Sequence, residues 1–170
     1  MNREQMGHFD DFRTGKLPDP YISVKGLPEP TICPTCSAVY HKKHWSFDKD
    51  LLLKVKNDPK VHFQKCPADR KIEDHYAMGK IQLSGAFISE HHDELINIIK
   101  SEERRALENN PLDRLMLIEK RNGGGIYVET TSDALATRIG HHLKKAYKGG
   151  DEEIKFRAGD KFVEVLWHKD

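Results

Sequence analysis

The chain has 170 residues, 37% of them hydrophobic and 32% charged, and a formal net charge of +1, which leaves room for one ordinary domain plus something small. No apolar run approaches the roughly 20 residues of a membrane helix, and the opening MNREQMGHFDDFRTGK lacks the basic-then-apolar order of a secretory signal. Three cysteines, an odd number, argue against a disulfide framework and for a reducing compartment. With the hydropathy pattern, this makes a cytoplasmic chain without a membrane partner the expectation.

In chain order, residues 1–30 are polar and punctuated by glycine and proline, and read as a flexible arm that is loose or lies over the rest. Residues 31–79 change to short apolar patches between turn residues. Cys33-Pro-Thr-Cys36 opens this stretch and Cys66-Pro-Ala-Asp69 closes it. A unit so small has too little core to be stable without a staple.

Residues 80–170 alternate more regularly. Lys80–Ser84 has strand periodicity, and Ser89 is placed to cap a helix reaching about Asn109. Leu115–Ile118 and Ile126–Thr130 read as a hairpin around the turn Asn122–Gly125. Ser132 or Asp133 caps a second helix carrying Leu135, Ile139 and Leu143, stopped by Gly149-Gly150. Ile154–Arg157 and Phe162–Trp167 form a closing hairpin. The expected class is α+β: a small zinc-ribbon-like module at 31–79, then a ferredoxin-like domain at 80–170, βαββαβ plus one strand, its sheet antiparallel with both helices on one face.

The ribbon expectation rests on ligand spacing. A thiolate pair two residues apart lets one tight turn hold both sulfurs on a metal, and a second turn brought over by a hairpin completes a tetrahedron. Here the ligands are Cys33, Cys36, Cys66 and Asp69, and a carboxylate oxygen is an acceptable fourth donor for Zn²⁺. Two alternatives stay open: one of His41, His44, His62 or His75 replaces Asp69, or packing alone holds the fold. In every case the metal's role is structural, because nothing nearby marks out an open coordination position beside an acid–base residue.

Charge is unevenly placed. Residues 33–79 carry nine Lys/Arg against six Asp/Glu, while both flanking stretches are slightly acidic, so an anionic partner should prefer this part. His41, Lys42, Lys43, His44 and Trp45 follow the first cysteine pair, and Lys65, Arg70 and Lys71 flank Cys66 and Asp69. Together they predict one basic tip in which Lys42, Lys43, Arg70 and Lys71 meet phosphates and Trp45 stacks on a base. Elsewhere, His91-His92 and His141-His142 read as surface histidines, Glu102–Arg105 as a solvated helix face, and the glycines at 123–125 as a turn rather than a phosphate loop. No catalytic grouping emerges, so the chain is expected to be non-enzymatic.

The two ligand pairs, the Ile81–Ser84 strand and the stretch from Gly124 to Arg138 resemble the zinc-binding N-terminal region of the large-ribosomal-subunit nuclear-export adaptors, the nonsense-mediated-decay-three family. The likeness runs from about Cys33 to Trp167. The chain is also similar to a group of small bacterial relatives with Leu-Pro-Glu-Pro-Thr-x-Cys-Pro, here Leu27 to Pro34. It departs from the larger relatives in carrying one Cys-x-x-Cys pair and in ending the second pair with Asp69. The resemblance implies contact with ribosomal RNA or the large ribosomal subunit, a zinc-stabilised ribbon, and no catalytic residues. The rival expectation is a protein–protein adaptor that uses the open sheet face or edge of the second domain.

Overall fold

The computed structural model describes residues 18–170, so the expected arm lies partly outside the described residues. The fold is α+β. A four-stranded sheet has the order β3-β2-β1-β4, from β1 (Thr31–Ile32), β2 (Val39–His41), β3 (His44–Ser46) and β4 (His62–Phe63). A five-stranded sheet has the order β6-β7-β5-β9-β8, from β5 (Gly79–Ser84), β6 (Leu115–Lys120), β7 (Ile126–Thr130), β8 (Asp151–Phe156) and β9 (Val163–His168). Among the described residues, five helices accompany them: α1 (Lys49–Val55), α2 (Pro67–Glu73), α3 (Ala86–Glu90), α4 (His92–Asn109) and α5 (Asp133–Ala146). Among the described residues, no helix is long and apolar enough to cross a membrane.

The larger sheet is mixed, where the sequence pattern had predicted antiparallel pairing throughout. β5 pairs antiparallel with β7 but parallel with β9, from Gly79↔Val163 to Ser84↔His168. The cause is the closing hairpin. β8 returns from α5 and β9 turns back antiparallel to it, inserting between β8 and β5. Side-chain chemistry decides which strand takes the inner place. Val163, Val165 and Trp167 of β9 are fully buried, whereas Asp151, Glu153, Lys155 and Phe156 of β8 are exposed, as an edge strand demands.

Ile81, Leu83, Ile126, Val128, Val163, Val165 and Trp167 face Leu95, Ile99 and Ala106 of α4 and Leu135, Ile139 and Leu143 of α5 in one core. Ser132 Oγ accepts from the Leu135 N–H, the expected cap of α5. Gly140 lets that helix sit close to the sheet, since a Cβ there would fall 2.7 Å from Val165 Cγ1. Ile139→Ala is expected to cost about 2–5 kcal/mol, read as a lowered urea midpoint at unchanged m-value.

Two local expectations are corrected. Ser89 caps nothing: its hydroxyl donates to the Gly123 carbonyl, and helix begins at Ala86, breaking at His91 before α4. Glu102 is not on a solvated face but buried between helices, where it accepts from Arg105 at 2.6 Å and lies 2.7 Å from His142 Nδ1. His141 likewise reaches the buried Glu152 at 3.1 Å. The adjacent histidines thus turn to carboxylates on opposite sides of α5, the divergence expected of neighbours about 100° apart.

Candidate metal centre

The first ligand pair sits in the connection between β1 and β2. The Cys33 N–H donates to the Ala38 carbonyl at 2.8 Å and the Ser37 N–H to the Cys33 carbonyl at 2.9 Å, with Ser37 at φ 63° closing the turn. This tight loop brings Cys33 and Cys36 to one side. The second pair is carried differently from the expected turn. Cys66 is the N-cap of α2, Pro67 occupies the first helical turn, and the Cys66 sulfur accepts from the Asp69 N–H at 3.4 Å. Helical spacing of three then sets the Asp69 carboxylate beside the Cys66 sulfur, 3.2 Å away. The parallel pairing of β4 with β1, Thr31↔His62 and Ile32↔Phe63, delivers this helix start to the first loop.

The four side chains converge. Their ligand atoms lie within 4.8 Å of one another, with Cys33, Cys66 and Asp69 buried and Cys36 half-buried. Cys36 and Cys66 sulfurs are 3.8 Å apart, and Cys33 Sγ is 3.0 Å from Asp69 Oδ2. A tetrahedron with Zn–S bonds of ~2.3 Å has an edge of about 3.8 Å, so the sulfur spacing suits a single small ion. Among the described residues, this is the group that could hold a metal ion. The alternative histidines do not join it. His41 lies 3.4 Å from Glu29, His44 Nδ1 is 3.2 Å from the Lys42 carbonyl, and His62 and His75 are exposed.

The electrostatics fit a cation. Hydrogen bonds from Cys36 and Cys66 draw the Cys33 thiol well below its ordinary range against the opposing effect of burial, and raise those two thiols in turn. The three sulfurs share protons that a divalent ion would replace. The Cys66 N–H also donates to Cys33 Sγ at 3.3 Å. Asp69 Oδ1 accepts from Arg114 Nη1 at 2.8 Å while Oδ2 faces the sulfurs. Burial disfavours the Arg114 cation, but Cys36, Asp69 and Cys66 outweigh it and raise its pKa.

No family model, curated protein or solved structure matches this chain.

Arg114 leads into β6 of the other sheet, and Leu112 beside it packs on the cluster of Cys33, Ala38, Tyr40, Trp45, Cys66 and Ala68. The site is therefore completed from the second half of the chain. Sequence reasoning missed Arg114, which stands 45 positions from Asp69 with no motif around it.

The expected basic tip is divided by the fold. Lys42 and Lys43 are exposed at the turn between β2 and β3, both at positive φ, with their N–H groups held by Glu29 at 2.7 and 3.0 Å. Trp45 does not stand ready to stack: it is 7% exposed and packs against Tyr40 with ring centroids 5.4 Å apart. Its place in β3 turns it inward, and a core this small needs the ring's area. Lys71 is 3% exposed, ion-paired with Asp19 and donating to the Thr131 carbonyl at 2.9 Å. Burial lowers its pKa despite Asp19. Arg70 is half-buried and donates to the Tyr21 carbonyl.

Proposed function

We propose that this chain is a non-enzymatic, cytoplasmic RNA- or ribosome-binding protein. In this reading a structural Zn²⁺ on Cys33, Cys36, Cys66 and Asp69 staples a zinc-ribbon-like unit to a ferredoxin-like α/β domain. One observation carries the binding half of the proposal. Residues 41–65 hold seven lysines against three aspartates, and Lys42, Lys43, Lys49, Lys54, Lys56 and Lys60 are all exposed. Phe63 in edge strand β4, 63% exposed, supplies the ring face that Trp45 does not. A surplus of cations with an uncovered aromatic is the pattern that holds phosphates and an unstacked base. The resemblance to the ribosomal export adaptors points the same way.

Retention on ribosomal RNA should weaken steeply with salt, by about 0.7 in log K per log salt for each phosphate contact to a single strand. The triple variant Lys54→Glu, Lys56→Glu, Lys60→Glu is expected to flatten that slope by about 2, measured by filter binding across a salt series. An unaltered slope in a folded triple variant removes the basis of the reading.

A protein–protein adaptor is the second reading, favoured by the edge strand β8 with Phe156 54% exposed. Salt-insensitive association or a stable homodimer would select it.

A further inference from the structure

Of the cations expected at the basic tip, Arg70 and Lys71 are withheld from solvent, and the chain's own Asp19 and Tyr21 lie against them. The covering segment presents an anion and a ring. The Asp19 carboxylate pairs with Lys71 Nζ, and the Tyr21 ring lies 5.4 Å from the Arg70 guanidinium carbon and 5.8 Å from Lys71 Nζ. Tyr76 stands against Tyr21 with centroids 5.1 Å apart. Asp74 at the end of α2 accepts from the Tyr21 hydroxyl at 2.8 Å and bounds the site on that side.

The fit is incomplete in an informative way. Arg70 donates one nitrogen to a neutral carbonyl, that of Tyr21, while its Nε is buried with no hydrogen-bond partner among the described residues. A guanidinium presents a planar fork suited to two oxygens of one phosphate or carboxylate. A neutral carbonyl fills half of that fork and leaves the other donor desolvated, an unfavourable arrangement. The segment is also weakly anchored by apolar burial, since Ile22 is 40% and Val24 71% exposed.

We infer that Arg70 and Lys71 form a phosphate-binding site, that Asp19 and Tyr21 occupy it as a built-in pseudo-ligand, and that a phosphate ester displaces them. The source of that phosphate rests on the proposed function and is an RNA backbone. The ester takes both Arg70 donors and the Lys71 ammonium, and the neighbouring base takes the place of the Tyr21 ring against Tyr76. The covered state lowers apparent affinity by the fraction of molecules in which the segment is closed.

The test uses the full chain, its Asp19→Asn variant and the Asp19→Asn/Tyr21→Ala double variant, titrated with a labelled oligouridylate over a salt series. The double variant is expected to bind roughly tenfold tighter, with a salt slope steeper by about 0.7, the share of one further phosphate contact. Arg70→Ala added to it should cancel both gains. Asp19→Asn alone, which keeps the ring packing, guards against misfolding and should show part of the gain. Inorganic pyrophosphate is the second probe, expected to raise the melting temperature of the double variant and not of its Arg70→Ala derivative. Oligouridylate binding that is unchanged by opening the segment, together with no pyrophosphate effect, overturns the site and leaves the RNA reading standing. Stabilisation by pyrophosphate without oligouridylate binding upholds the site and overturns RNA as its source.

Discussion

Cys66→Ser is expected to release the metal and unfold the unit built on the smaller sheet. The purified wild-type chain should carry close to one equivalent of zinc, and the variant essentially none. The expectation follows from how little else holds residues 31–73 together. Their strands are two or three residues long, α1 has no buried residue, and the buried apolar side chains amount to Ile32, Val39 and the cluster of Cys33, Ala38, Tyr40, Trp45, Cys66 and Ala68 with three half-buried neighbours. A cluster of that size does not offset the ordering entropy of some forty residues. A structural zinc contributes on the order of 10 kcal/mol or more of binding free energy to folding at neutral pH, enough to reverse the balance. Cys66 is the most damaging position to change because its sulfur is both a member of the group that could hold the ion and the cap of α2. Metal analysis and limited proteolysis read the two effects separately. Cleavage should concentrate between residues 41 and 65 while the core around Ile81, Ile139 and Trp167 resists. A chelated wild-type protein that keeps native resistance in this unit would falsify the staple, whatever its zinc content.

The candidate ligand set could be read from the sequence because the geometry of each pair is local. Two positions three apart meet on any tight turn or helix start, so Cys33 with Cys36 and Cys66 with Asp69 needed no knowledge of the fold. The carrier of the second pair was less legible. Cys66-Pro67 has the signature of a helix opening, with proline in the first turn, but a helix as short as seven residues leaves no periodic stripe to set it apart from a turn. The same brevity hid α1. The larger sheet was legible in its elements and not in its closure. Alternation identifies β8 and β9 as strands, yet the choice of which pairs with β5 depends on comparing their burial, and only the assembled sheet makes that comparison. Long-range partners left no trace at all. Glu102 reads as one more charge on a helix until α5 brings His142 to it, 40 positions away, and Trp45 reads as a stacking ring until the core that needs it is complete.

Arg114→Ala is expected to destabilise the protein by about 3–5 kcal/mol and to weaken zinc binding by about 10–100-fold, although Arg114 is not a ligand. Asp69 is 7% exposed at its side chain and Arg114 13%, so the pair is shielded from screening. Three thiolates and a carboxylate around a divalent ion leave two negative charges in a buried site, and the Arg114 guanidinium neutralises one of them. Truncation leaves the Asp69 oxygen facing it without a donor and the excess charge uncompensated. Arg114 is itself fixed from the second half of the chain: its N–H donates to Thr131 Oγ1 at 2.8 Å and its Nε to the Pro111 carbonyl at 2.9 Å. Metal loading and the docking of the two sheets therefore draw on the same side chain, and each should strengthen the other. Arg114→Lys should recover the charge but not the fork, and restore zinc affinity in part. Arg105→Ala is the comparison, since Arg105 is 60% exposed and Glu102 keeps His142; its cost should stay near 1 kcal/mol. Urea titration and chelator competition on both variants decide the matter, for equal losses at Arg114 and Arg105 would mean that the two halves fold without reference to the metal site.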